Sequence, residues 1–157
     1  MVAVSDQRQS DPAKSDSQRF AEAGSALCDA VDADIEAWVI NAVVQRAPTE
    51  LAAAQAAAAE CRAAVVPRLR ALVALDAEEQ PTTPLQILRA AVGYPTWVLR
   101  TAGVVPARRD QLDIDRDPDD LYALTPAAFA DFGPAVGEAG LIWGATKAYL
   151  HLSRRRS

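Results

Sequence analysis

Residues 27–61, LCDAVDADIEAWVINAVVQRAPTELAAAQAAAAEC, decide the fold. Leu27, Val31, Ile35, Trp38, Ala42 and Val43 recur at helical spacing, and no turn signal interrupts them. The run from Trp38 to Val44 has strand propensity, but the helical pattern passes through it. The first helix is therefore predicted from about Gln18 to Arg46. Pro48 then marks the end of one helix and the start of the next. A second helix is predicted from about Thr49 to Leu75, with Leu51, Ala54, Ala58, Cys61, Val65 and Leu72 along a heptad-like seam. Pro67 falls inside it and should kink or divide it.

Two long helices on a short connection make an antiparallel hairpin. A turn between Ala47 and Pro48 sets Trp38 opposite Ala57, a large ring against small side chains. The same register offsets Cys28 and Cys61 by about 9 Å along the axis, too far for a disulfide. Two unpaired cysteines point to a reduced, cytoplasmic protein. Glu22, Asp29, Asp32 and Glu36 line another face of the first helix and form one candidate partner contact.

Outward from the hairpin, residues 1–18 are polar and read as a disordered arm. The expected organisation is an arm over 1–18, a hairpin over 19–75, an acidic linker over 76–82, short helices over 83–153 and a basic tail over 154–157. Helix starts are expected at Thr83-Pro84, Asp117-Pro118 and Thr125-Pro126, each a cap residue followed by Pro. Pro95 should kink or split the segment 84–102, Gly103 should end it, and the last helix should run from about Val136 to Ser153. With 34 Ala among 157 residues and nine aromatics, the class is all-α with thin helix contacts. No stretch reaches the length and apolarity of a membrane helix, so no membrane partner is expected.

Charge in the second half is sorted into blocks. Residues 83–109 carry Arg89, Arg100, Arg108 and Arg109 and no acid. Residues 110–138 carry seven Asp and Glu138 against Arg116, and residues 139–157 carry Lys147, Arg154, Arg155 and Arg156 with no acid. Such blocks either pair inside the fold or present alternating sign to partners.

Reactive signatures fail on inspection. The run Asp113-Ile-Asp115-Arg-Asp117 opens like a calcium loop, but Pro118 and Leu124 stand where Gly and Glu are required. Gly133, Gly137, Gly140 and Gly144 make no phosphate-binding motif; Gly137, Gly140, Gly144 and Ala148 instead form a line of small residues for close helix packing. His151 is the single His and has no nucleophile motif near it. No catalytic residue, metal ligand or cofactor is assigned.

The face Arg89, Gly93, Trp97, Arg100, extended by Arg108, Arg109, Arg154, Arg155 and Arg156, is the candidate binding site. A competing assignment puts Trp97 in the core and pairs these Arg groups with Asp113 to Asp120. The function expected is a non-enzymatic intracellular adaptor or regulator that binds another protein, with self-association through the Ala-rich seam as a further expectation. The alternative is a nucleic-acid- or ribosome-associated protein using the basic segments 83–109 and 139–157. A small enzyme with Asp115 or Asp120 facing Arg100 or Arg109 is a third reading.

Overall fold

A computed structural model describes residues 14–106, 110–116 and 120–156. Among these the protein is all-α, with no strand. Helix α1 (Asp16–Val44) and helix α2 (Leu51–Val73) form the antiparallel hairpin, joined through a 3-10 turn at Pro48–Glu50. Helices α3 (Pro84–Arg89), α4 (Gly93–Thr101), α5 (Gln111–Arg116) and α6 (Pro134–Arg156) follow. No helix among the described residues is long and apolar enough to cross a membrane.

Helix α1 starts earlier than its apolar pattern does. Ser15 accepts from the Gln18 N–H, and the Gln18 side chain accepts in return from the Ser15 N–H, a capping box that draws residues 16–18 into the helix. The remainder of the expected arm, residues 1–13, lies outside the described residues. Val31, Ile35, Val39 and Val43 are fully buried in the core shared with Ala54, Ala58, Cys61 and Val65 of α2. Ala on α2 lets the two backbones approach closely. At the open end of the hairpin Gly24 meets Val73 so tightly that a Cβ there would fall 2.8 Å from the Val73 Cβ.

The hairpin acids are spent inside the hairpin. Arg62 donates to Asp32 at 2.5 Å and lies 3.5 Å from Glu36, while Arg70 donates to Asp29 at 2.9 Å. Glu22 pairs with Lys14. These acids are thus paired within the chain at its surface, where α2 presents Arg62 and Arg70 two turns apart. Pro67 neither stops nor divides α2. It sits on the exposed side of the helix, as does Ala63, the residue one turn before it.

Trp38 does not sit buried against the Ala run. Its ring is half-buried and packs on Phe132, with centroids 4.8 Å apart. The reason is that α1 carries a second apolar stripe, which faces α6 and the 3-10 turn Phe129–Phe132. Phe20, on the same stripe, meets Trp143 of α6 at 5.8 Å. The hairpin thus packs directly on the C-terminal region.

The acidic segment 76–82 is likewise held. Its 3-10 turn, Ala77–Glu79, is clasped by Arg154, which donates to Asp76 at 2.9 Å and lies 3.3 Å from Glu78. Arg154 to Arg156 belong to α6, not to a separate tail.

Thr83 caps α3 as expected, with Gln86 completing a capping box. Thr125-Pro126 starts no helix. The Thr125 N–H is taken at 2.9 Å by buried Asp120, which also accepts from Leu124 at 2.7 Å, and the chain stays in a loop. Besides the expected start at Pro84, a Pro-first start is realised at Pro134. The Asp117-Pro118 start lies outside the described residues. The acidic run of the calcium-like motif begins on the short helix α5.

The Gly line of α6 is used for close approach at two positions. A Cβ on Gly137 would stand 3.0 Å from Ala130, and one on Gly140 only 2.3 Å from the Phe129 ring. At Gly144 a Cβ meets nothing within 4 Å. Gly140→Ala is therefore expected to destabilise by about 1–3 kcal/mol, whereas Gly144→Ala, in the same helix, stabilises by up to about 1 kcal/mol. Urea unfolding of the two variants measures both signs.

A second prediction concerns acid. The Arg62 hydrogen bond, with weaker charge effects from Arg62 and Arg70, holds the Asp32 carboxyl below its ordinary value; Arg154 does the same for Asp76. A depressed carboxylate stabilises the fold above the unfolded-state pKa and loses that contribution as pH falls through the folded one. Stability should decline below about pH 4, and Asp32→Asn should flatten that decline in denaturant titrations run at successive pH values. The effect is small because these pairs are solvent-screened.

Candidate functional site

The most distinctive surface arises where the chain bends after α3. Pro95 has no N–H to give the Ala91 carbonyl, and the ladder breaks just before it into a 3-10 turn at Ala90–Val92. Helix α4 then runs to Thr101 and ends in a Schellman motif. Val104 donates to the Leu99 carbonyl at 3.0 Å, Gly103 donates to Arg100 at 3.0 Å, and Gly103 takes φ +76°.

This bend sends Leu88, Ala91, Val98 and Leu99 into the core and turns Trp97 outward. Trp97 is 63% exposed, which overturns its assignment to the core. Beside it lies an open groove of about 670 Å³ between α2 and α4. Ala53, Ala56 and Ala57 form one wall with Glu60, and Gly93, Tyr94 and Trp97 form the other. The same Ala run that packs the hairpin on one face makes a shallow apolar wall on the next.

The predicted site residues divide. Gly93 and Trp97 line the groove, and Arg100 is exposed one turn beyond Trp97. Arg89 turns away, with its Nε donating to the Pro126 carbonyl at 3.4 Å. Arg108 and Arg109 lie outside the described residues. Arg154 sits beyond the far end of α2, on Asp76 and Glu78; Arg155 and Arg156 are exposed near it at the end of α6. Ala57 and Val73, at the two ends, are about 24 Å apart along the α2 axis at 1.5 Å per residue. Among the described residues the single extended basic patch is therefore corrected to separate places: Arg100 beside the groove, Arg89 at Pro126, and Arg154 to Arg156 at the end of α6. Spacing along helices groups residues only within one helix, and the bend before Pro95 redirects Arg89.

Three features escaped the sequence reading. The Ala wall and Tyr94 complete the groove. A cleft of about 600 Å³ opens where Asp34, Asn41 and Gln45 of α1 face Thr125 and Asp131 around Trp38 and Phe132. Asp131 there is already engaged, accepting from the Ala127 and Ala128 N–H groups at 2.7 and 3.0 Å. The third is an apolar outer face on α6. Leu141, Ile142, Tyr149 and Leu152 are all more than half exposed, with Ala145 and Ala148 between them. Its steps of 4, 3 and 4 residues from Leu141 to Leu152 are legible in the sequence.

Asp120 is occupied at a loop and Asp115 accepts from the Gln111 side chain at 3.2 Å. His151 is exposed on α6, beside a hollow shared with Glu78, Lys147 and Arg154. Among the described residues no three His, Cys, Asp or Glu groups converge to hold a metal. Burial raises the Cys28 thiol to about 11 and the Cys61 thiol to about 12. Both should resist a thiol reagent at pH 8 in the native protein and react in denaturant; rapid native labelling would show that the hairpin seam opens.

Comparison of the chain with protein-family models, with curated proteins and with solved structures gave no match in any of the three.

Proposed function

We propose that this protein is a helical adaptor or regulator, non-enzymatic, that binds another protein in the groove between α2 and α4. One observation carries the reading: Trp97 stands 63% exposed on the rim of an apolar groove. A large indole held in water beside an apolar wall gains strongly when a partner covers it, and Trp is among the residues most enriched at binding hot spots. The opposing wall is built of Ala, so the occupant supplies its own large apolar side chain. An amphipathic partner helix meets that need. Glu60 in the groove and Arg100 one turn past Trp97 put both signs of charge near it, which fixes orientation more than affinity. The two buried, unpaired thiols support a reducing, cytoplasmic setting.

Nucleic-acid binding needs the basic blocks to act together. Arg154 is committed to Asp76 and Glu78, and Arg89 to Pro126, so the geometry favours the protein partner.

The test is capture from the source cell extract with tagged wild-type protein and with Trp97→Ala, each with and without nuclease. Trp97 is exposed, so its loss should leave the unfolding midpoint nearly unchanged while lowering recovery of the specific partner at least tenfold, the weight of a hot-spot side chain. Recovery indifferent to Trp97, or abolished by nuclease, would remove the reading.

A further inference from the structure

We infer that the outer face of α6 joins two copies of this chain as an antiparallel, twofold-symmetric pair. This surface is separate from the Trp97 groove, and the inference does not rest on the adaptor reading.

Helix α6 is apolar on two sides. Its inner side buries Val136, Trp143 and Leu150. Its outer side carries Leu141 at 77% exposure, Leu152 at 53%, Tyr149 at 57% and Ile142 at 54%. An apolar helix face is normally packed against a neighbour, and the outer one has none among the described residues. Isolated exposed apolar side chains are common, but the four-residue stripe Leu141, Ala145, Ala148, Leu152 with Ile142 and Tyr149 on its flank is a patch.

The arrangement of the stripe selects its occupant. Leu141 and Leu152 are its ends, and Ala145 and Ala148 lie symmetrically about the same midpoint, between Thr146 and Lys147. Glu138 and Arg155 are centred on that midpoint too. Laid antiparallel on a second copy, the stripe therefore matches itself. Leu141 of one copy meets Leu152 of the other at each end. Ala145 meets Ala148 at the centre, where small side chains let the helices approach to about 8 Å. Tyr149 lies beside Ile142 on one flank. Glu138 falls between Arg155 and Arg156 of the other copy, and the helix dipoles oppose. A parallel pairing would instead set Glu138 against Glu138 and the Arg groups against each other. Charge thus chooses the antiparallel form, and a self-complementary patch closes as a dimer instead of growing into a filament.

The area is modest. Specific interfaces begin at about 1,200 Å² in total, and four large side chains with two Ala per copy lie near that lower end. The dimer should dissociate in about the micromolar range.

Sedimentation equilibrium of the full chain over micromolar to submillimolar concentration tests this. The wild type should move from monomer to dimer. Leu141→Glu should stay monomeric, with an unchanged circular dichroism spectrum because the side chain touches no core. Glu138→Arg should raise the dissociation constant about tenfold, and combining it with Arg155→Glu and Arg156→Glu should restore most of that loss, since the pairs re-form with reversed sign. A wild type that stays monomeric throughout, a dimer that survives Leu141→Glu, or a charge-reversed triple variant no better than Glu138→Arg would overturn the inference. So would a monomer that instead partitions onto lipid vesicles through this face.

Discussion

Everything in this molecule hangs on α1 being buried from two sides. One stripe, from Leu27 through Val31, Ile35, Val39 and Val43, sits in the hairpin core with α2. A second, carrying Phe20 and Trp38, takes α6 and the turn at Phe129–Phe132. Close approach makes both possible. Ala on α2, Gly24 at the open end of the hairpin and Gly137 and Gly140 on α6 keep side chains out of the gaps. The protein exchanges side-chain bulk for backbone proximity, which is how a chain with nine aromatics still builds a continuous core.

The hairpin was legible because its information is local. The 3.6-residue period, the Pro48 boundary and the register follow from neighbours in sequence, and Arg62 with Asp32 lies where that register puts it, while Arg70 reaches about one turn along to Asp29. Caps were legible for the same reason at Thr83. They misled at Thr125, where the backbone N–H that matters goes to Asp120 in the same loop. Trp38 misled because periodicity reports that a face is apolar, and says nothing of which neighbour covers it. Two stripes on one helix look like one broad stripe.

The candidate surfaces were read less well, again for a physical reason. A helix wheel groups Arg89 with Trp97 and Arg100 only if the helix is continuous, and the 3-10 turn before Pro95 separates them. The groove itself joins residues about 40 apart in the chain, Ala53 to Ala57 with Gly93 to Trp97, which no local pattern encodes. The charge blocks were real as composition, yet Arg154 found its acids in the 76–82 segment, outside the acidic block expected to receive it.

The span between α1 and α6 has a temporal meaning. About ninety residues separate the end of one from the start of the other. On a ribosome adding about 5–20 residues per second, the Phe20–Trp38 stripe waits roughly 5–20 s for its cover. Synthesis therefore holds a finished hairpin with an uncovered apolar flank, and the chain depends on α6 to end that vulnerable interval.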